Sequence, residues 1–333
     1  MPRHEETPLS RTVLNELLDV GQRYAPEYRG GLSNHLPMAL GALHGLGADE
    51  DRLRNFFDRY ALRLGLGARP GRALADWSDH LGHVDAFADL FDTFRTMLGD
   101  EGAAPVLRRV LPRLMPGVGA AAFHGLIRTA YGVAAGHAGE TAAGMAYWAC
   151  RYLPLEAPAA PAVDQRDPAA WVQALAADLA GISVEGGLIF ERMRVVAGSA
   201  AFARHAGRLV IDAGTLTALA DFAAQRYAAT RNFTVLHLVT SCHAMRMLLP
   251  WLDDRDAALR AYARAFAAGC IASGIALQSA PLPQPALGWP QVVQRAAASN
   301  DPHVIKLVYS CREDAQTYGD GARLHAAGLA VGG

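Results

Sequence analysis

The chain has 333 residues, 51% hydrophobic and 19% charged, with a formal net charge of -1. That length supports one large domain or two ordinary ones with a sizeable core, and the near-neutral balance argues against a nucleic-acid partner, which needs a basic patch. No uncharged apolar run reaches the roughly 18 residues of a membrane span, Met1 to Glu6 carry no apolar signal core, and the scattered Cys150, Cys242, Cys270 and Cys311 form no CxxC pair. The cysteines therefore read as buried free thiols in a reducing cytoplasm.

Helical periodicity dominates the chain. Leu14, Leu17, Leu18 and Val20 mark a first amphipathic stretch. Asn34 is placed to cap a helix bearing Leu36, Met38, Ala39, Leu40 and Leu43. Pro37 is tolerable there because first-turn amides have no intrahelical acceptor. Leu53, Phe56, Phe57, Tyr60, Ala61 and Leu64 recur at helical spacing, and Phe87, Leu90, Phe91, Phe94 and Leu98 repeat the pattern. Glycine and proline punctuate 65–71 and 112–119. A proline- and alanine-rich stretch over 154–168 lacks periodicity and reads as a surface linker. Arg208 to Ile211 is too short to found a sheet, Leu216 to Tyr227 returns to helical spacing, and 328–333 reads as a frayed tail. The expectation is an all-α protein, a single large multi-helix domain over 1–333. The linker divides it into two helical halves around a central metal site.

Of the 31 basic residues besides histidine, 30 are Arg and one is Lys, Lys306. A guanidinium stays charged, whereas a lysine amine can be neutralised and then act as a nucleophile, a base or a site of modification. Asn300 or Asp301 suits an N-cap and Pro302 the first helical position, so a helix is expected from about 302. Val304, Ile305, Leu307, Val308 and Cys311 form its apolar face, with His303 and Lys306 together on the other. In the first turn the helix dipole disfavours imidazolium, leaving the neutral imidazole that metals bind.

Three further histidine contexts carry chemistry. His35 sits at another helix start. His124, Arg128 and Tyr131 make an i, i+4, i+7 polar stripe among apolar residues. His237 and His243 lie on a helix that is apolar almost all round; six residues apart, they cannot both face one ion, and either can be the ligand. His237 is favoured, with His243 behind it. His80 and His83 have metal-like spacing but flank Gly82 and read as a surface loop, and Gly117-Val118-Gly119 follows no strand, so no dinucleotide fingerprint is present.

At Asn34-His35-Leu36-Pro37-Met38-Ala39-Leu40, Phe123-His124-Gly125-Leu126-Ile127-Arg128, Leu236-His237-Leu238-Val239-Thr240 and His303-Val304-Ile305-Lys306-Leu307 the chain resembles the questin oxidase-like family, oxygenases of aromatic polyketide metabolism. The resemblance spans about 12 to 318. It implies a mononuclear Fe(II) held by His35, His124, His237, His303 and a carboxylated Lys306, its carbamate derived from CO2, with O2 as co-substrate. The partner implied is a small polycyclic aromatic or quinone-type polyketide, altered by ring oxygenation or C–C cleavage. NADPH serves some members, but no nicotinamide site is legible. Arg128, Tyr131 and His243 are candidates for orienting ligands or substrate. Two other readings compete. One is a metal-dependent hydrolase whose carbamylated lysine bridges two ions. The other is a non-catalytic helical binding protein with merely buried histidines. The oligomeric state is not readable.

Overall fold

Capping chemistry sets where the helices begin. The computed structural model describes residues 8–67, 70–155, 162–278, 282 and 284–332. Helix α1 (Pro8–Gly21) leads into a hairpin of β1 (Glu27–Tyr28) and β2 (Leu32–Ser33), antiparallel with Glu27 opposite Ser33. Then come α2 (Leu36–Gly45), α3 (Glu50–Ala61), α4 (Phe87–Glu101), α5 (Ala103–Leu114), α6 (His124–Ala135) and α7 (Ala138–Cys150). The second half holds α8 (Pro168–Asp178), α9 (Ile189–Ala197), α10 (Ala200–His205), α11 (Thr215–Thr230) and α12 (Phe233–Leu248). It closes with α13 (Arg255–Ala272), α14 (Trp289–Ala298), α15 (Pro302–Tyr318) and α16 (Gly321–Ala330). This is an all-α domain, the two-stranded hairpin being the only sheet among the described residues.

Local chemistry explains these starts. Asp49 accepts a 2.8 Å hydrogen bond from the Arg52 amide at the head of α3, whose Leu53, Phe56, Phe57 and Tyr60 are buried. Asn232 caps α12 through the amides of Thr234 and Val235. Asp301 caps α15 through the His303 amide at 2.8 Å, with Pro302 in the first turn. Each cap satisfies amides that the helix itself cannot.

One continuous core of buried side chains runs through both halves. Of the 154–168 stretch, 156–161 lie outside the described residues and Pro168 already opens α8; between them Gln165 forms a parallel bridge with Leu209, so the short 208–211 stretch pairs with it. The helical frame includes 328–330: the last turn of α16 takes them in and Gly328 is buried, where the sequence suggested fraying. All four cysteines are free and buried. No described helix is long and apolar enough to cross a membrane.

Two glycines let the central helices approach closely. A Cβ on Gly45 of α2 would lie 2.3 Å from the Tyr309 ring of α15, and one on Gly144 of α7 would lie 2.4 Å from the Thr129 backbone of α6. A larger residue at Gly144 would push α6 and α7 apart, and one at Gly45 would displace the Tyr309 ring.

Candidate functional site

Four helices bring the chemistry together. α2 packs on α6, α6 on α12, α12 on α15, and α15 on α2. Each contributes a histidine from its N-terminal end: His35 at the N-cap of α2, His124 as the first residue of α6, His237 in the second turn of α12 and His303 in the first of α15. Two lie before the linker and two after it, as the sequence placed them.

The four rings form a closed circuit. His35 stacks on His124 with centroids 4.8 Å apart, and their Nε2 atoms lie 2.8 Å apart. His124 meets His237 at 4.9 Å, His237 meets His303 at 5.8 Å, and His303 meets His35 at 4.5 Å. Three of the rings are held from behind. His124 Nδ1 lies 2.6 Å from the Ala121 carbonyl and His237 Nδ1 lies 2.8 Å from the Phe233 carbonyl. A carbonyl only accepts, so each Nδ1 carries the proton and each Nε2 keeps its lone pair. His303 Nδ1 lies 3.3 Å from the Asp301 carboxylate, which leaves its Nε2 buried without a partner. Anchoring of one ring nitrogen by a carbonyl or carboxylate is how metal-binding imidazoles are oriented.

The support behind His124 is strained. Ala121, Ala122 and Phe123 have φ of 45°, 55° and 69°, three consecutive L-residues in the left-handed region. Each costs on the order of 1 kcal/mol or more. This turn sets the Ala121 carbonyl against the imidazole, and no glycine in the sequence announces it.

Lys306 is completely buried, and its Nζ has no hydrogen-bond partner. Burial pulls its amine down to about 7, against a smaller opposing pull from Asp301. The imidazoles shift the same way. Burial takes His237 down to about 3, helped by His303 and Lys306. His35 and His124 fall well below the ordinary imidazole range, first by burial and then by neighbouring bases, Lys306 among them. His303 is lowered by burial, and its bond to Asp301 resists the shift. The site is therefore a cluster of five bases poised to be neutral, with one flanking acid.

These donors suit a cation. Buried lone pairs on His303 Nε2 and Lys306 Nζ lack a protein partner, and such groups call for one. As it stands, no group of three or more His, Cys, Asp or Glu among the described residues is arranged to hold a metal. His35 and His124 are instead engaged with each other through Nε2. Metal binding would require His35 to move its proton to Nδ1, which is buried and free to take it.

The three auxiliary candidates have other partners. Arg128 makes a bidentate buried ion pair with Glu140 at 2.9 and 3.0 Å, which joins α6 to α7 and commits its fork to structure. His243 Nδ1 lies 3.0 Å from Asp314, which also accepts from Arg246 at 2.8 Å. Tyr131 packs between the rings of His243 and Tyr309, at 6.5 and 5.7 Å, with Ser310 beside its hydroxyl. His237, not His243, joins the circuit. His80 and His83 face each other at 6.0 Å at a short 3-10 turn.

Sequence reasoning missed Glu140, Asp314 and Phe233. Asp314 stands eight residues after Lys306, so helical spacing alone puts the two on one face. Glu140 lies on the next helix and gives no local signal.

A model of the questin oxidase-like family matches residues 32–311. The chain belongs to the questin oxidase-like family. The matched span includes all five members of the cluster, from His35 to Lys306, and stops short of Asp314. Membership in a questin oxidase-like family supports an oxidoreductase of polyketide metabolism. A search of curated proteins gave no match.

Proposed function

We propose that this questin oxidase-like protein is a mononuclear non-heme iron oxygenase, with His35, His124, His237, His303 and a carboxylated Lys306 as iron ligands. The observation that carries the reading is the ring of four imidazoles beside a buried lysine whose field acts on all four, with Asp301, behind His303, the one flanking carboxylate. Imidazoles with one anionic oxygen donor suit Fe(II) better than they suit magnesium or calcium. Bound there, Fe(II) supplies the activation of dioxygen for attack on an electron-rich ring.

The chain prepares the site in three ways. Burial brings the Lys306 amine down to about 7, so near neutral pH a substantial share is the uncharged form whose lone pair can bond to the carbon of CO2. One N–C bond forms, one proton leaves, and a carbamate anion results. The N-terminal dipoles of α2, α6 and α15 favour that anion and keep the imidazoles uncharged. The anchored Nδ1 atoms of His124, His237 and His303 aim the remaining nitrogens inward. A polycyclic aromatic or quinone-type polyketide is the substrate class, undergoing ring oxygenation or C–C cleavage.

Lys306 is the test. Lys306→Arg introduces a charge that cannot be neutralised, and Lys306→Met keeps the bulk without the nitrogen. Both variants are expected to lose iron after gel filtration, while Lys306→Met remains folded by circular dichroism. Full iron content in folded Lys306→Met rejects the carboxylated ligand.

A further inference from the structure

Phe233 borders the cluster on the side where it comes nearest to solvent. Of the five clustered side chains His35, His124, His237 and Lys306 are buried, and only His303 keeps appreciable exposure, 21% of its side chain. Phe233, the first residue of α12, is 55% exposed and is the only aromatic ring among the exposed large hydrophobics of the described residues. Its ring centroid lies 4.9 Å from that of His237 and 4.7 Å from that of His303. Single exposed aliphatic residues are ordinary on protein surfaces. An exposed aromatic seated on two rings of a buried basic cluster marks the side from which that cluster can be reached.

The residue is also held in place. Asn232 caps its helix and donates to the Ser273 carbonyl at 3.1 Å. Arg192 of α9 reaches the Thr234 hydroxyl at 3.4 Å. The Phe233 carbonyl accepts from His237 Nδ1, so backbone and ring both border the same imidazole. A flat apolar surface fixed beside the chemistry stacks another ring with little ordering cost.

We propose that Phe233 is the platform on which a planar fused-ring aromatic substrate lies as it meets the cluster, and that it sets a preference for fused over single rings. This rests on the oxygenase reading for its substrate class. The test titrates wild type, Phe233→Ala, Phe233→Leu and Phe233→Trp with 1,8-dihydroxyanthraquinone and with phenol. Each protein is used iron-loaded and iron-free, binding is followed by absorbance, and iron is assayed on the same samples. Phe233→Ala and Phe233→Leu should weaken anthraquinone binding by about three- to tenfold, with iron content unchanged. Phe233→Trp should bind it at least as tightly as wild type, and the effect on phenol should be smaller. Wild-type affinity in Phe233→Leu, or no saturable anthraquinone binding by wild type, overturns the proposal. Phe233-dependent binding by a protein that takes up no iron leaves the platform standing and removes the oxygenase reading. Iron uptake with Phe233-independent binding does the reverse.

Discussion

His237 and His243 stand on one buried helix, six residues apart, and meet opposite surroundings. His243 faces a carboxylate: its Nδ1 lies 3.0 Å from Asp314, which also accepts from Arg246, while its Nε2 is buried without a partner. His237 faces two imidazoles and the field of a lysine, and its ring bonds to the Phe233 carbonyl of its own helix. Arg128 belongs with His243, since Glu140 answers its charge. A buried polar side chain with an opposing partner in the fold is explained by folding. A group of buried bases without one leaves lone pairs that call for a donor or a cation from outside the fold. That difference separates architecture from site here, more sharply than burial does.

The comparison breaks most readily on metal retention. His237→Ala should lower iron per chain at least tenfold, since it removes one of the proposed ligands. His243→Ala should leave iron unchanged and lose about 1–3 kcal/mol of stability, because Asp314 forfeits one of two partners. Metal analysis with urea unfolding reads both effects, and equal iron loss in the two variants would erase the distinction.

Acid sharpens it further. Unfolded histidine titrates near 6.5, whereas folded His237 titrates at about 3. Between those values the unfolded chain binds the extra proton, so stability rises with pH and is lost as pH falls below 6.5. His237 alone should cost the metal-free protein about 2 kcal/mol on going from pH 7 to pH 5, and His35 and His124 act in the same direction. Lys306, at about 7 folded against 10.5 unfolded, adds a rise in stability between those two values. Urea midpoints of metal-free wild type and His237→Ala at pH 7 and pH 5 measure it. The variant should show the smaller acid loss, and an identical loss would mean that His237 is protonated in the fold.

Local rules made part of this legible. Asp301 and Pro302 fixed the start of α15, and the scarcity of lysine pointed to Lys306 before any partner was known. The face of α15 that carries His303 and Lys306 is an interior one, because α2 and α12 pack against the helix. The four histidines are separated by up to 268 residues, so spacing could not assemble them, and the family resemblance supplied the grouping. The stripe of His124, Arg128 and Tyr131 was real as a helix face, but α7 captured Arg128 with Glu140. The left-handed turn at Ala121 to Phe123 was illegible, since tertiary packing holds alanines where sequence rules expect glycine.

The most direct measurement is the metal content of wild-type protein after anaerobic loading with Fe(II) and desalting. The account predicts one iron per chain. Two zinc ions per chain, the occupancy of a binuclear hydrolase, or no retained metal would contradict it.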